Sequence, residues 1–268
     1  MESSLRISRR FARRKFQGRP ALVAYLTAGD PSPERTVELA LALERGGADV
    51  LELGVPFSDP IADGPVIQRA SDRALRAGTT VARVLSIASQ IRERSEMPIL
   101  LFSYMNPLLR FGFERLGEEA ARRGIDGCLL TDLSVEEAAE PVAQLRQHGL
   151  DTVFLAAPTS TERRLKLVAE YSSGFVYVVS RTGVTGEQDS VAAGVQPLVE
   201  KLRELTDLPI AVGFGVSKAE HVKAIGAYAD GAVVGSALMR VVEQYGAAPD
   251  LPARLEAFTR ELTGEKAG

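Results

Sequence analysis

The run Val50-Leu-Glu-Leu-Gly-Val-Pro-Phe-Ser-Asp-Pro-Ile-Ala-Asp-Gly-Pro65 starts as an apolar strand with a single charge, Glu52. It then breaks into a Pro- and Gly-rich loop with two more carboxylates, Asp59 and Asp63. Burying an unpaired carboxylate is costly, or it raises the pKa until the group is neutral. A strand that delivers one acid to its C-terminal end, and a loop that brings up others, assemble general acid–base chemistry. The alternative for Glu52 is a structural ion pair with an arginine. The loop acids, more than Glu52 itself, favour chemistry.

Gly213-Phe-Gly215 and Gly235-Ser236 each follow an apolar run and precede a helix-like segment. Glycine lets the backbone approach a ligand closely or take positive φ. Ser217 or Ser236 is expected to cap the following helix, whose first N–H groups then face an anion. Two such loops at neighbouring strand ends point to phosphate rather than to simple turns. Residues 181–194, rich in Gly, Ser, Thr and acids, are long for a strand-to-helix connection. They suit a lid that closes over substrate, or a plain surface loop. Tyr25, Tyr104-Met-Asn-Pro107, Thr131-Asp132 and Tyr177 complete the polar and aromatic strand ends.

Other chemistries find little support. Two histidines, His148 and His221, both in helix-like segments, exclude a His-based metal site and disfavour a Ser-His-Asp triad. No Gly-X-Gly-X-X-Gly follows the first strand, so a dinucleotide fold is not indicated. A divalent ion on the carboxylates is disfavoured because leucines flank Glu52. A net charge of -3 gives no reason to expect nucleic acid. The one cysteine, Cys128, lies in an apolar run and reads as a buried small hydrophobe in a reducing compartment. No stretch is apolar enough to span a bilayer. The basic N-terminal segment resembles a transit peptide or a nucleic-acid arm. Leu5, Phe11 and Phe16 instead suggest the stripe of a docking helix within residues 1–18.

These candidates need a scaffold. Strand-like runs fall at Ala21–Thr27, 50–53, 99–104, Gly127–Leu130, 152–156, 175–179, 210–212 and Gly231–Val234. They are short and apolar with little polar alternation, as in a parallel sheet covered on both faces. Helical patterns separate them, at Pro33–Arg45, 81–94, 113–123, 134–148, 161–170, 195–205, 218–224 and 237–245. A terminal helix follows over 251–262, an extra turn falls near 68–75, and Ser134-Val-Glu-Glu137 has the form of a capping box. Eight strand–helix units without a compositional break predict an α/β fold: one (β/α)₈ TIM barrel over 1–268 with an extra N-terminal helix. The candidate strand ends then share one face.

At this point the sequence resembles the tryptophan synthase alpha chain family over nearly its whole length. The most specific match is Leu51-Glu-Leu-Gly-Val-Pro-Phe-Ser-Asp-Pro-Ile-Ala-Asp-Gly-Pro65. Leu26-Thr-Ala-Gly-Asp-Pro31, Tyr104-Met-Asn-Pro107, Ser180-Arg-Thr-Gly-Val-Thr-Gly186 and Gly213-Phe-Gly215 support it. The resemblance implies a cytoplasmic carbon–carbon lyase that cleaves indole-3-glycerol phosphate to indole and glyceraldehyde 3-phosphate. It implies an α₂β₂ complex in which indole passes to a beta chain for tryptophan synthesis. Pyridoxal phosphate belongs to that partner, so this chain is expected to carry no cofactor and no metal. Glu52 is implied as the general acid–base and Asp63 as the group that holds the indole N–H. Tyr25, Tyr104 and Tyr177 would line the indole pocket. Gly186, Phe214, Gly215, Gly235 and Ser236 would bind phosphate, and Thr185 would join the lid to the catalytic loop.

The chain departs from many relatives at Asp132-Leu-Ser134, where they have Asp-Leu-Pro, and at Tyr25, where some have Phe. Ser134 puts the strength of coupling to a beta chain in question. Three other functions remain open on the same residues: a free-standing lyase, a weakly catalytic activator of the beta chain, or an unrelated sugar-phosphate isomerase on the same barrel.

Overall fold

The computed structural model describes residues 6–179, 194–213 and 215–264. Its strands pair only in parallel: β1 (Ala21–Thr27), β2 (Val50–Gly54), β3 (Ile99–Ser103), β4 (Gly127–Leu130), β5 (Asp151–Val153), β6 (Leu155–Ala156), β7 (Val176–Val179), β8 (Ile210–Gly213) and β9 (Gly231–Val234). The hydrogen-bonded order is β5-β4-β3-β2-β1-β9-β8-β7-β6. β5 and β6 are halves of one strand interrupted at Phe154, the first pairing with β4 and the second with β7. That strand therefore stands at both ends of the order and closes the barrel. The single strand expected over 152–156 is this element.

The helices are α1 (Arg6–Phe16), α2 (Pro33–Arg45), α3 (Pro65–Arg76), α4 (Val81–Arg92), α5 (Met105–Phe111), α6 (Phe113–Arg122), α7 (Ala139–Gln147), α8 (Glu162–Tyr171), α9 (Val195–Arg203), α10 (Ala219–Gly226), α11 (Ser236–Tyr245) and α12 (Leu251–Thr263). They cover the outward strand residues, among them Leu22, Leu26, Leu51, Leu53, Leu101 and Val212, all buried. Three local expectations need correction. The extra turn near 68–75 is the full helix α3. Met105–Phe111, where the sequence pattern predicts no helix, forms α5. The capping box at Ser134 does not open a continuous helix: Val135–Glu137 is a 3₁₀ turn, and the Ser134 hydroxyl bonds Glu136.

Inside the barrel, Ala21, Val23, Val50, Leu100, Leu129, Val153, Phe175, Ala211 and Val233 pack on Ile7 and Phe11 of α1. The Phe11 and Phe175 rings lie 5.3 Å apart. α1 thus closes the N-terminal end of the barrel. The expected stripe of Leu5, Phe11 and Phe16 is wrong in part, because Phe16 is 93% exposed, Ile7 takes its place, and Leu5 lies outside the described residues. The basic character of α1 also has a partner. Arg14 bonds buried Asp49 just before β2 at 2.7 Å, and Arg6 reaches Asp126 just before β4 at 3.2 Å. The helix is matched to acids of the barrel floor.

Candidate active site

Side chains alternate along a strand, so the residues at its lower end decide which ones face inward above them. Ala21 and Val23 face inward on β1, so Tyr25 and Thr27 do so higher up. On β2, Val50 sets Glu52 and Gly54 inward. Tyr25 and Glu52 are register partners.

Glu52 is 1% exposed, and its Oε1 has no hydrogen-bond partner among the described residues. Burial raises its pKa from 4.5 to about 8. The arginine-pair alternative therefore fails, and burial favours the neutral form of the Glu52 carboxyl at pH 7.

Asp63 is buried too, and burial raises its pKa from 3.8 to about 6 against the pull of Tyr104. The Tyr104 hydroxyl donates to Asp63 Oδ2 at 3.0 Å and accepts the Ala62 N–H at 3.0 Å. One tyrosine thus pins two successive residues of the loop after β2. Phe57 packs on it with ring centroids 5.1 Å apart. From the first turns of α3, the Gln68 amide donates to the Asp63 carbonyl at 2.8 Å.

Tyr25 and Tyr177 show that the two acids share one space. Each has its pKa raised well above 10, first by burial and then by both carboxyls. Tyr25 feels Asp63 more than Glu52, and Tyr177 feels Glu52 more than Asp63. The Tyr25 hydroxyl accepts from Thr27 Oγ1 at 3.1 Å, and its ring meets Phe102 edge-on at 5.2 Å. Room for both phenols comes from strand-end glycines. A methyl on Gly54 would overlap the Tyr25 hydroxyl, and one on Gly213 would overlap the Tyr177 hydroxyl.

The proposed phosphate end adjoins this space. Gly235 occupies the N-cap of α11 without a side-chain cap, and Ser236 is the first helical residue. The cap expected from Ser217 or Ser236 is absent, since Lys218 is the N-cap of α10. The first N–H groups of α11 have no acceptor within their own helix. A Cβ on Gly235 would lie 3.5 Å from Tyr25 Cβ and 3.7 Å from Ile67, so this helix end meets the wall built by Tyr25. Gly215 has φ +67°, which requires glycine. Thr185, Gly186 and Phe214 lie outside the described residues, as do residues 181–193 of the expected lid.

Other strand-end candidates stay apart. Asp59 is exposed and bonds its neighbour Ser58. Asp132 accepts the N–H of Met105 at 2.7 Å, securing the start of α5. Buried Cys128 has its thiol pKa raised to about 12, as a small hydrophobe should. Among the described residues no cluster of three His, Cys, Asp or Glu is placed to hold a metal, and no helix is long and apolar enough to cross a membrane. Residues not anticipated from sequence are Thr27, Phe57, Gln68 and Phe102. They act through cross-strand or loop contacts that no local pattern reveals.

A closed parallel barrel with two buried carboxyls tuned towards neutral pH at one end has the construction of an acid–base enzyme. Comparison with known proteins gives the family. The tryptophan synthase alpha chain family model matches residues 11–265. The tryptophan synthase alpha chain of Solibacter usitatus is 63% identical over 257 residues, covering 96% of each chain. A chain of Mycobacterium tuberculosis tryptophan synthase superposes with TM-score 0.89 at 37% identity, covering 98% of both. One from the tryptophan synthase complex of Pyrococcus furiosus gives 0.84 at 39% identity, covering 91% of this chain and 98% of that one. The chain belongs to the tryptophan synthase alpha chain family, a family of lyase-type enzymes whose members work with a beta chain.

Proposed function

We propose that the chain cleaves indole-3-glycerol phosphate to indole and glyceraldehyde 3-phosphate. The observation that carries this reading is Glu52, a neutral buried carboxyl with a free oxygen, on a wall where Tyr25 and Tyr177 each feel both it and the ionisable Asp63. Glu52 donates its proton to indole C3, which breaks the ring's conjugation and leaves the nitrogen iminium-like. The ionised Asp63 accepts the indole N–H and stabilises that charge. The hydroxyl on the carbon bonded to C3 then gives its proton to the Glu52 carboxylate. The carbon–carbon bond breaks, its electrons return to the ring, and an aldehyde remains. Protons balance, because Glu52 regains what it gave. General acid–base help of this kind contributes about 10²–10⁴ in rate.

Tyr25, Tyr104 and Tyr177 form the indole walls. Gly215, Gly235 and Ser236, with Gly186 and Phe214, hold the phosphate, and Thr185 links the lid to the Asp63 loop. The indole nitrogen is itself the electron sink, so the reaction calls for no cofactor in this chain. Pyridoxal phosphate is assigned to the beta chain, in an α₂β₂ assembly in the cytoplasm. Ile61 (79% exposed) and Leu109 (58% exposed) follow β2 and β3 on the catalytic face and suit a partner surface. The intact pair of acids argues against a purely activating subunit.

Incubation with indole-3-glycerol phosphate, with and without a beta chain, tests the proposal. The chain has no Trp, so indole fluorescence rises over little background. Indole and aldehyde should appear in equal amounts and faster with the beta chain. A chain inert under both conditions contradicts the proposal.

A further inference from the structure

Asp30 stands in the loop after β1, yet it is fully buried and turned away from solvent. Arg73 of α3 grips it with both arms, Nε to Oδ1 at 2.7 Å and Nη2 to Oδ2 at 2.9 Å. The remaining Arg73 nitrogen donates to Glu243 of α11 at 2.9 Å. Arg69, one turn earlier on α3, grips the same Glu243 at 2.6 and 2.8 Å. These contacts, Arg69 first, lower the Glu243 pKa to about 2. Four charges of alternating sign thus tie three elements together.

Each of those elements carries one part of the site. β1 holds Tyr25. α3 begins two residues after Asp63 and holds its carbonyl through Gln68. α11 begins at the phosphate end, where Ile67 of α3 lies against Gly235. α3 therefore runs alongside α11, with its N-terminus at the acid and its side at the phosphate helix. Bidentate arginine pairs fix geometry as well as charge, and contacts between packed helices are a physical route for coupling.

We propose that Arg73, with Glu243, is a positioning residue that couples occupancy of the phosphate end to the placement of Asp63. The inference rests on the substrate reading above. Phosphate held at the α11 N-terminus then fixes α11, and through the charge network fixes α3 and the loop carrying the acid. Neither Arg73 nor Glu243 touches the reacting atoms.

A substrate cut in two separates coupling from binding. Indole-3-glycerol lacks the phosphate, and phosphite dianion supplied alongside occupies its place. The readout is the ratio of the cleavage rate at saturating phosphite to the rate without it. Wild type should show a large ratio. Glu243→Gln and Arg73→Lys should lower it by about tenfold, with phosphite affinity and far-UV circular dichroism retained. Glu243 is partly exposed, so Glu243→Gln keeps the test open should Arg73→Lys fail to fold. Equal ratios in wild type and Glu243→Gln overturn the inference, as does a wild type that phosphite does not activate. Cleavage of intact indole-3-glycerol phosphate by wild type is measured in parallel. Its absence defeats the substrate reading, whereas its presence with unchanged ratios defeats only the coupling.

Discussion

Replacing Glu52 with Gln should make the protein less active and, at high pH, more stable. Wild-type Glu52 carries a pKa of about 8 when folded against an ordinary 4.5 when unfolded. Because the folded value is the higher one, the stability contributed by the neutral carboxyl is fully present below pH 4.5. It is lost as the pH rises towards and through 8. The span from 4.5 to about 8, at about 1.36 kcal/mol per pH unit, amounts to about 5 kcal/mol of lost stability above pH 8. Gln cannot ionise and keeps the shape. Its own buried amide adds an offset that does not change with pH. The difference in unfolding free energy between Glu52→Gln and wild type should therefore grow in favour of the variant by about 1.4 kcal/mol per unit between pH 5 and 8 and level off above. Urea unfolding at pH 5, 7 and 9, followed by far-UV circular dichroism, measures it, and every other titrating group cancels in the comparison. A difference that stays flat within about 0.5 kcal/mol would show that Glu52 is ionised at neutral pH and would remove the basis for its role as an acid.

The pH profile of wild-type kcat/KM should rise through about 6 as Asp63 ionises and fall through about 8 as Glu52 does. Tyr104→Phe removes the hydroxyl that lowers the Asp63 pKa and holds Ala62, so the rising limb should move to higher pH and kcat/KM should drop by about tenfold or more. An unmoved limb would detach Tyr104 from Asp63. Gly213→Ala forces a methyl into the Tyr177 phenol, and overpacking of about 1–3 kcal/mol should lower kcat/KM with the circular dichroism spectrum intact. Phe11→Ala opens the floor of the barrel and should cost about 3–5 kcal/mol in urea unfolding, while turnover at room temperature is retained by the folded fraction.

Much of this architecture was legible in advance because parallel strands leave an unmistakable trace. Short apolar runs such as Gly127–Leu130 and Gly231–Val234 are buried on both faces and need no alternation to be recognised. Glu52 stood out for the same reason: one charge in such a run has to be explained. Three-dimensional register is what the chain order hides. Gly54 and Gly213 look like ordinary strand-end glycines until the neighbouring strands bring Tyr25 and Tyr177 over them. Phe16 has the type and spacing of a docking residue, but α1 turns Ile7 and Phe11 inward and leaves Phe16 in solvent. The serine caps foreseen for the phosphate helices were local rules that the fold does not use, since Gly235 leaves the end of α11 open. Asp30 follows the first strand as Asp63 follows the second, and only the position of Arg73 on a helix distant in sequence shows that it is structural.

A crystal structure of the chain with a non-cleavable indole-3-alkyl phosphate tests the central claim most directly. The indole N–H should lie within hydrogen-bond reach of Asp63, ring carbon C3 should face Glu52, and the phosphate should sit on the first N–H groups of α11 beside Gly235 and Ser236. A ligand with its phosphate away from that helix end, or with its ring out of reach of either acid, would contradict the account.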